Sequence, residues 1–246
     1  MKNKKKRVRE IADYIKFVFP MLVLYILFFI FPLFQTIGYS FTDYNGINPR
    51  KEFTGLTNYV DVFQDKWFYN SMLFTGKSVI LMILLANVLG FLLALALNTK
   101  IKSRNILRAI VFCPFVFNNV TVGFIWQFLL GRFMTDLYPL TGWKVFNIGW
   151  LSDSSLVLYS VVFVKLWQSI GYFMVIYLAG LQLLPQDPLE AAVLDGCTGI
   201  KMIRYITIPL MKPTAFVCIF LAITESLNMF PLIMSLTNGG PGHASE

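Results

Sequence analysis

Paired cysteines and clustered histidines are missing from this sequence, and charge is scarce. Only 14% of its 246 residues are charged, against 57% hydrophobic and 16% aromatic, and the mean hydropathy is +0.64. A soluble domain of this size does not bury that much apolar surface. Cysteines number three, Cys113, Cys197 and Cys218, without paired spacing, and the single histidine, His243, lies far from all of them in the chain. No disulfide framework or metal site is indicated, and the three thiols read as small buried hydrophobes. Acidic residues are also scarce, 13 against 21 basic, which leaves a formal net charge of +8. The basic residues sit at the ends of apolar segments and do not interleave with aromatics on a surface, which argues against nucleic acid as a partner. Internal repeats and low-complexity segments are absent too.

What the sequence does have is a set of stretches roughly 20 residues long with almost no charge, the length an α-helix needs to cross the hydrocarbon layer. The lipid bilayer is therefore the solvent. Five spans are expected, to within a few residues: Phe17 to Gly38, Val79 to Leu97, Leu107 to Leu130, Leu156 to Leu178, and Pro213 to Leu236. The first follows a basic start (Lys2, Lys4, Lys5, Lys6, Arg7, Arg9) that resembles a secretory signal. Its apolar run is too long for a signal core and no small-x-small cleavage site follows, so it reads as a retained span.

The connections alternate sides. Fourteen of the 21 basic residues fall on one side, in the N-terminus with Lys16, in the second connection (Lys100, Lys102, Arg104, Arg108) and in the fourth (Lys201, Arg204, Lys212). Arg50, Lys51, Lys66, Arg132 and Lys144 fall on the other, while Lys77 and Lys165 lie within or beside spans. The positive-inside rule puts the N-terminus in the cytoplasm and the segment Thr237 to Glu246 outside. The expected organisation is a basic cytoplasmic tail, 1–16, and one all-α, polytopic transmembrane bundle, 17–246. Its longest external loop, 40–71, contains the turn-like TDYNG and GLTNY and an amphipathic surface helix over Val60 to Tyr69.

The fourth connection, 183–212, is cytoplasmic by this count and runs LLPQDPLEAAVLDGCTGIKMIRYITIPLMKP from Leu183 to Pro213. Pro185 ends the preceding helix, Asp187 is placed to cap the next, Pro188 suits its first turn, and Glu190 completes a capping-box spacing. Gly196 supplies a left-handed stop. A short helix over Pro188 to Leu194 follows, then a second amphipathic piece that Pro209 interrupts. An ordinary interfacial helix explains the caps and the amphipathicity. It does not explain the order Glu, Ala, Ala, Asp, Gly.

EAAVLDGCTGIKMIRYITIPLMKP resembles the EAA loop of binding-protein-dependent permeases of ATP-binding-cassette importers. The resemblance extends over nearly the whole chain: FTGLTNYVDVF, the Arg108 to Pro114 start of the third span, WQSIGYFMVIYLAGLQLLP from Trp167, and TNGGPGHASE are similar to the carbohydrate branch related to maltose and glycerol-phosphate permeases. It departs in Cys197, where the family usually has alanine, and in the lack of the sixth span that follows TNGGP in the family. The resemblance implies the type I permease fold and a coupling helix, carried by Glu190, Ala191, Ala192, Asp195 and Gly196, that docks into a cytoplasmic ATPase. It also implies a second homologous permease, two ATP-binding subunits and an external solute-binding protein as partners. Catalysis is not expected of this chain, and it needs no cofactor of its own, ATP and Mg belonging to the separate ATPase subunit.

One decoy is Gly76-Lys77-Ser78, the ending of a phosphate loop. The first glycine of that motif would fall at Ser71, no strand precedes it, and it opens a span on the outer side. Polar residues at membrane depth are more informative, because such groups are costly unless they face a cavity or a partner. Asn118 and Asn119 follow Pro114 in the third span; Lys165, Gln168, Ser169 and Tyr172 form a band in the fourth, and Glu225, Ser226 and Asn228 another in the fifth. Aligned through the Pro and TNGGP landmarks, the sugar-contacting positions of the maltose branch fall at Phe115, Asn119, Gln168, Ser169, Tyr172, Glu225, Ser226 and Met229. Most of the residue types differ, so the positions transfer and the specificity does not. Asn118, Ser169 and Ser226 have an equal claim as hydrogen bonds joining helices. Lys165 and Glu225 are expected to pair between the fourth and fifth spans. Lys77 reads as a snorkelling cation, and Trp126, Trp143 and Trp150 as interfacial anchors. An ion-gradient-driven transporter, a permease for a non-sugar solute and a non-transporting scaffold stand as rival readings.

Overall fold

The computed structural model describes residues 2–47, 51–99, 102–242 and 244–245, with 2–13 through their helical backbone alone. Arg50 and Lys100 of the charge count, and His243 and Glu246 of the terminal motif, lie outside the described residues. Helices dominate: among the described residues no strand forms, and Thr42 and Phe53 make an isolated antiparallel bridge. The chain packs as two compact units, Met1–Phe68 and Tyr69–Glu246.

In the first unit, α1 (Lys2–Tyr25) passes through a π turn, Ile26–Ile30, into α2 (Phe31–Tyr39). Pro32 closely follows that π turn, whose wider ladder accommodates a residue without an N–H. The Tyr14–Tyr39 stretch has a mean hydropathy of 2.6, and its most apolar window is 0% buried within the chain. Asn58 closes the loop that follows, its amide donating to the carbonyls of Ser40 (2.9 Å) and Thr42 (2.8 Å). α3 (Thr57–Gln64) then ends at Asp65, whose carboxylate accepts from the Trp67 N–H at 2.8 Å and so caps α4 (Lys66–Leu97). The single surface helix expected over Val60 to Tyr69 is therefore divided at Asp65, and the second long helix starts at Lys66, well before Val79. Gly76-Lys77-Ser78 lies inside α4, in helical backbone that forms no phosphate cradle.

The second unit contains the breaks that a hydropathy pattern hides. α5 (Arg104–Phe112) tightens into a 3-10 turn, Cys113–Val116, and Phe117 and Asn118 are extended before α6 (Asn119–Gln127) begins. A π turn, Phe128–Phe133, leads to α7 (Met134–Thr141). The halves Arg104–Val116 and Asn119–Thr141 meet at 94°, so the third span expected over Leu107 to Leu130 is interrupted by a sharp break. Pro114 is the cause: it cannot continue the α-helical ladder, and Asn118 starts a new helix by accepting from the Val120 N–H at 3.0 Å.

α8 (Val157–Gln182) is continuous. Asp153 prepares its start, accepting from the Ser155 N–H and hydroxyl at 2.8 and 2.7 Å, and these bonds hold its carboxyl below the usual range. After α9 (Gln186–Leu194), α10 (Ile200–Met202) continues through a π turn into α11 (Ile208–Leu210). α12 (Lys212–Leu227) leaves at 70°, and α13 (Phe230–Leu236) follows a further break at Asn228 and Met229. The bend lies at Met211, not at Pro209: Pro209 closely follows the π turn Ile203–Thr207, whose wider ladder accommodates a residue without an N–H, and the new helix starts after Met211 with Pro213 in its first turn.

α8 is the centre of this unit, with 61% of its apolar window buried, against 22% for α4. α5, the Cys113–Val116 turn, α6, α12 and α13 all pack on it, and α6 packs on α13. Hydrocarbon provides no hydrophobic drive between helices, so close approach through small residues does the work. A Cβ at Gly171 would meet the Val111 carbonyl oxygen and, at 2.6 Å, Phe112 Cα; one at Gly123 would meet Ser235. Of the cysteines only Cys218 is buried; Cys197 is half-buried and Cys113 exposed, so the reading of three buried hydrophobes holds for one. Trp126 is no simple anchor either, since its ring meets those of Phe163 and Trp167 edge-on at 5.2 and 5.3 Å.

A methyl group separates the two kinds of glycine. Gly171→Ala forces α5 away from α8 and is expected to destabilise by about 1–3 kcal/mol, as overpacking does. Gly76→Ala, with nothing within 4 Å of the added carbon, is expected to be neutral or slightly stabilising. Thermal unfolding of the two variants in the same detergent measures the difference.

Candidate functional site

A helix that breaks at membrane depth frees backbone groups that have no water to turn to. At the Phe117–Asn118 break the freed Phe117 carbonyl accepts from the Gln168 amide of α8 at 2.9 Å. One turn before Gln168, Lys165 is 3% exposed, and its ammonium lies 2.6 Å from a Glu225 carboxylate oxygen on α12. It also donates, at 3.4 Å each, to the side-chain oxygens of Asn119 and Gln168. All three donors of the ammonium are thus directed to oxygens. Glu225 stays 28% exposed, so one side of the pair is open.

Around these groups is a cavity of about 410 Å³ lined by residues 115–119 with Lys165, Gln168 and Glu225. At its edge the rings of Phe115 and Tyr172 stack, 4.5 Å apart and 2° from parallel. The structure thus brings Phe115, Asn119, Gln168 and Glu225 together on the wall and puts Tyr172 behind Phe115. Ser169, Ser226 and Met229 do not join them: they are buried at 0%, 4% and 2% exposure. The two serines spend their hydroxyls on their own helices, Ser169 on the Lys165 carbonyl (2.8 Å) and Ser226 on the Ala222 carbonyl (2.7 Å). Neither joins two helices, because a mid-helix serine finds its i−4 carbonyl closer than any neighbour. Asn118 does not join helices either; it caps α6. Val116 and Phe117, missing from the expected set, enter the wall through the break itself, and the signal for them is an asparagine between a proline and an apolar run.

At the other end of α8 is an arm built on α9. The expected cap does not form: the N-cap is Pro185, helix begins at Gln186, and Asp187 lies in the first turn without a side-chain cap bond. Asp187 therefore acts there through the helix dipole, and the capping box with Glu190 is not made. The C-terminal stop is as expected. Gly196 is left-handed, with φ +75°, and its N–H donates to the Val193 carbonyl at 3.0 Å while the Cys197 N–H reaches the Ala192 carbonyl at 2.8 Å. Glu190, Ala191, Asp195 and Gly196 are exposed, whereas Ala192 is buried against the chain. Leu194, at 88% exposure, and Ile200 stand out in the same arm. Among the described residues no cluster of His, Cys, Asp or Glu has the makings of a metal site.

The family described as the binding-protein-dependent transport system inner membrane component matches residues 86–244. The probable starch degradation products transport system permease protein AmyD of Thermoanaerobacterium thermosulfurigenes is 35% identical over 248 residues, covering 100% of this chain and 84% of that protein. The trehalose/maltose transport system permease protein MalF of Thermococcus litoralis is 31% identical over 233 residues, covering 93% and 78%. Among solved structures, a chain of the bacterial alginate ABC transporter in complex with alginate pentasaccharide-bound periplasmic protein superposes with a TM-score of 0.79. It is 22% identical and covers 98% of this chain and 81% of its own, a likeness of fold.

The ion pair has an asymmetric signature. Glu225→Gln leaves a buried cation without its counter-charge and is expected to destabilise by about 3–5 kcal/mol. Lys165→Met leaves the more open carboxylate and should cost less, and the double replacement Lys165→Met with Glu225→Gln should recover most of the loss. Detergent melting curves of all three, read as a double-mutant cycle, check this; equal damage from the three variants would remove the pair from the account.

Proposed function

Because the chain belongs to the family of binding-protein-dependent transport system inner membrane components, we propose that it forms one half of the path by which a carbohydrate is imported through ATP-driven alternating access. As a member of that family it is a multi-pass component of the inner membrane and a transport subunit, with no enzymatic activity of its own. The observation that carries the reading is the cleft at the α5–α6 break, which offers an aromatic face next to amide and carboxylate oxygens. That is what a sugar needs: rings to lie on and acceptors for its hydroxyls.

In this reading Phe115 and Tyr172 support the sugar ring, Asn119, Gln168 and Glu225 meet hydroxyls, and Ser169, Ser226 and Met229 shape the wall from behind. The pairing of Lys165 with Glu225 leaves the cleft without a net charge and favours a neutral solute. The names of the relatives, for starch degradation products and for trehalose and maltose, support a carbohydrate. A second permease completes the path, an external solute-binding protein delivers the solute, and two cytoplasmic ATP-binding subunits hydrolyse ATP with Mg²⁺. The N-terminus and the arm lie in the cytoplasm, as the excess of basic residues supports. There the exposed surface of α9, with Glu190, Ala191, Asp195 and Gly196, meets the ATPase, and Ala192 anchors the arm to its own chain. Since α8 runs unbroken from Gln168 to Gln182, about 20 Å at helical rise, a push on the arm reaches the cleft as motion of one rod.

Cysteines introduced at Ala191 or Thr198 are expected to react with an impermeant thiol reagent from the cytoplasmic side alone, and the one at Ala191 to crosslink to the ATP-binding subunit. Sugar uptake by the reconstituted complex should stop without ATP. Uptake that follows an ion gradient without the ATPase, or labelling from the outside, contradicts the proposal.

A further inference from the structure

A second cavity, larger than the cleft, is cut into the face of α4. Of about 520 Å³, it lies between Val88, Leu92 and Leu95 on one wall and Ile203, Ile208 and Ala215 on the other. The two polar residues on its surface are engaged with each other and with α4. Tyr177 donates to the Asn87 side-chain oxygen at 2.6 Å, and the Asn87 amide donates to its own helix at the Ile83 carbonyl, also 2.6 Å. The groove is therefore apolar even where its residues are not. From Asn87 to Leu95 it follows α4 for about 12 Å, most of the depth of one leaflet of hydrocarbon, ~15 Å. At the end formed by the arm, Lys201 and Arg204, both exposed, alternate with the lining residues Ile200 and Ile203 on successive turns.

From this juxtaposition we infer that the groove is a site for one anionic phospholipid, its acyl chain against α4 and its phosphate held by Lys201 and Arg204. Length, apolar wall and cationic rim together match an amphiphile with a negative head. A soluble sugar would meet only Asn87 and Tyr177, already bonded to each other, in an otherwise apolar wall. One wall belongs to α4 and the other to the arm and the start of α12, on either side of the 70° bend. A bound chain fills the angle of that bend, so an anionic lipid braces the arm against the bundle and regulates how far it moves. The regulatory consequence rests on the coupling role proposed for the arm; the lipid site itself does not.

The test uses the chain with its partner subunits in nanodiscs of phosphatidylcholine carrying a trace of phosphatidylglycerol with a diazirine in its acyl chain. After illumination, adducts should concentrate on Val88, Leu92 and Ile203 above the level on the rest of the lipid-facing surface. Lys201→Gln and Arg204→Gln should each lower that adduct by about fivefold, the effect of one basic residue near an anionic headgroup, and leave labelling by the same probe with a choline head unchanged. Ala215→Phe, which fills the groove without touching charge, should lower labelling by both probes. Equal labelling by the two headgroups, no response to the charge variants, or crosslinks from groove residues to another protein segment in place of lipid would overturn the site. The adducts report the groove whichever leaflet it opens on, so failure here and failure of the cytoplasmic placement of the arm are separate results.

Discussion

A helix cannot be interrupted inside hydrocarbon unless another part of the protein takes over the bonds it gives up. Here the interruption is at Phe117 and Asn118, and α8 takes over. Gln168 satisfies the Phe117 carbonyl, and Lys165, three residues earlier on the same face, holds Asn119 and Glu225. Tyr172, four residues later, meets Phe115. The spacing of these three side chains is that of one helix stripe, so a single face of α8 both repairs the break and furnishes the polar wall. Repair and wall are the same set of atoms, which is why a cleft persists where packing would otherwise close it.

That stripe gains mechanical meaning because α8 also carries the arm. Gly171 lets α5 press on it at backbone distance, and the left-handed Gly196 turns the chain sharply at the end of α9. The helices around the cleft are thus fixed to α8, while the arm meets α12 at a bend. Under the proposed coupling, a displacement of the arm would reach the cleft through α8 and would change the groove between α4 and the arm. In the proposed mechanism the cleft lies on α8 and the surface offered to the ATPase on α9, which follows α8 directly after the short 183–185 connection.

The membrane class, the all-helical fold and the position of α9 were legible in the sequence, because apolar length and a terminal glycine act locally. So was the pairing of Lys165 with Glu225, since two opposite charges at one depth have few other ways to be stable. The breaks were not legible from hydropathy: an apolar run reads the same whether its helix is straight or turns through 94°, and Pro114 and Asn118 mark the turn only when read as a stop and a cap. Asp187 misled because its spacing to Glu190 fits a capping box, whereas the extended Pro185 starts the helix earlier. Ser169 and Ser226 misled because a serine's preference for its own i−4 carbonyl leaves no trace in sequence. Trp126 looked interfacial until α6, turned by the break, laid its ring against Trp167.

The proposed solute path requires that the cleft at the α5–α6 break be open to water. In a variant lacking the three native cysteines, Asn119→Cys in the assembled transporter is predicted to react with a hydrophilic thiol reagent, and more slowly when the transported sugar is present. Phe124→Cys, five residues further along α6 and outside the cleft lining, is predicted to stay unreactive. If Asn119→Cys is inert from both sides of the membrane, or reacts at a rate no sugar alters, the break is a packed joint and the cleft is not the solute's path.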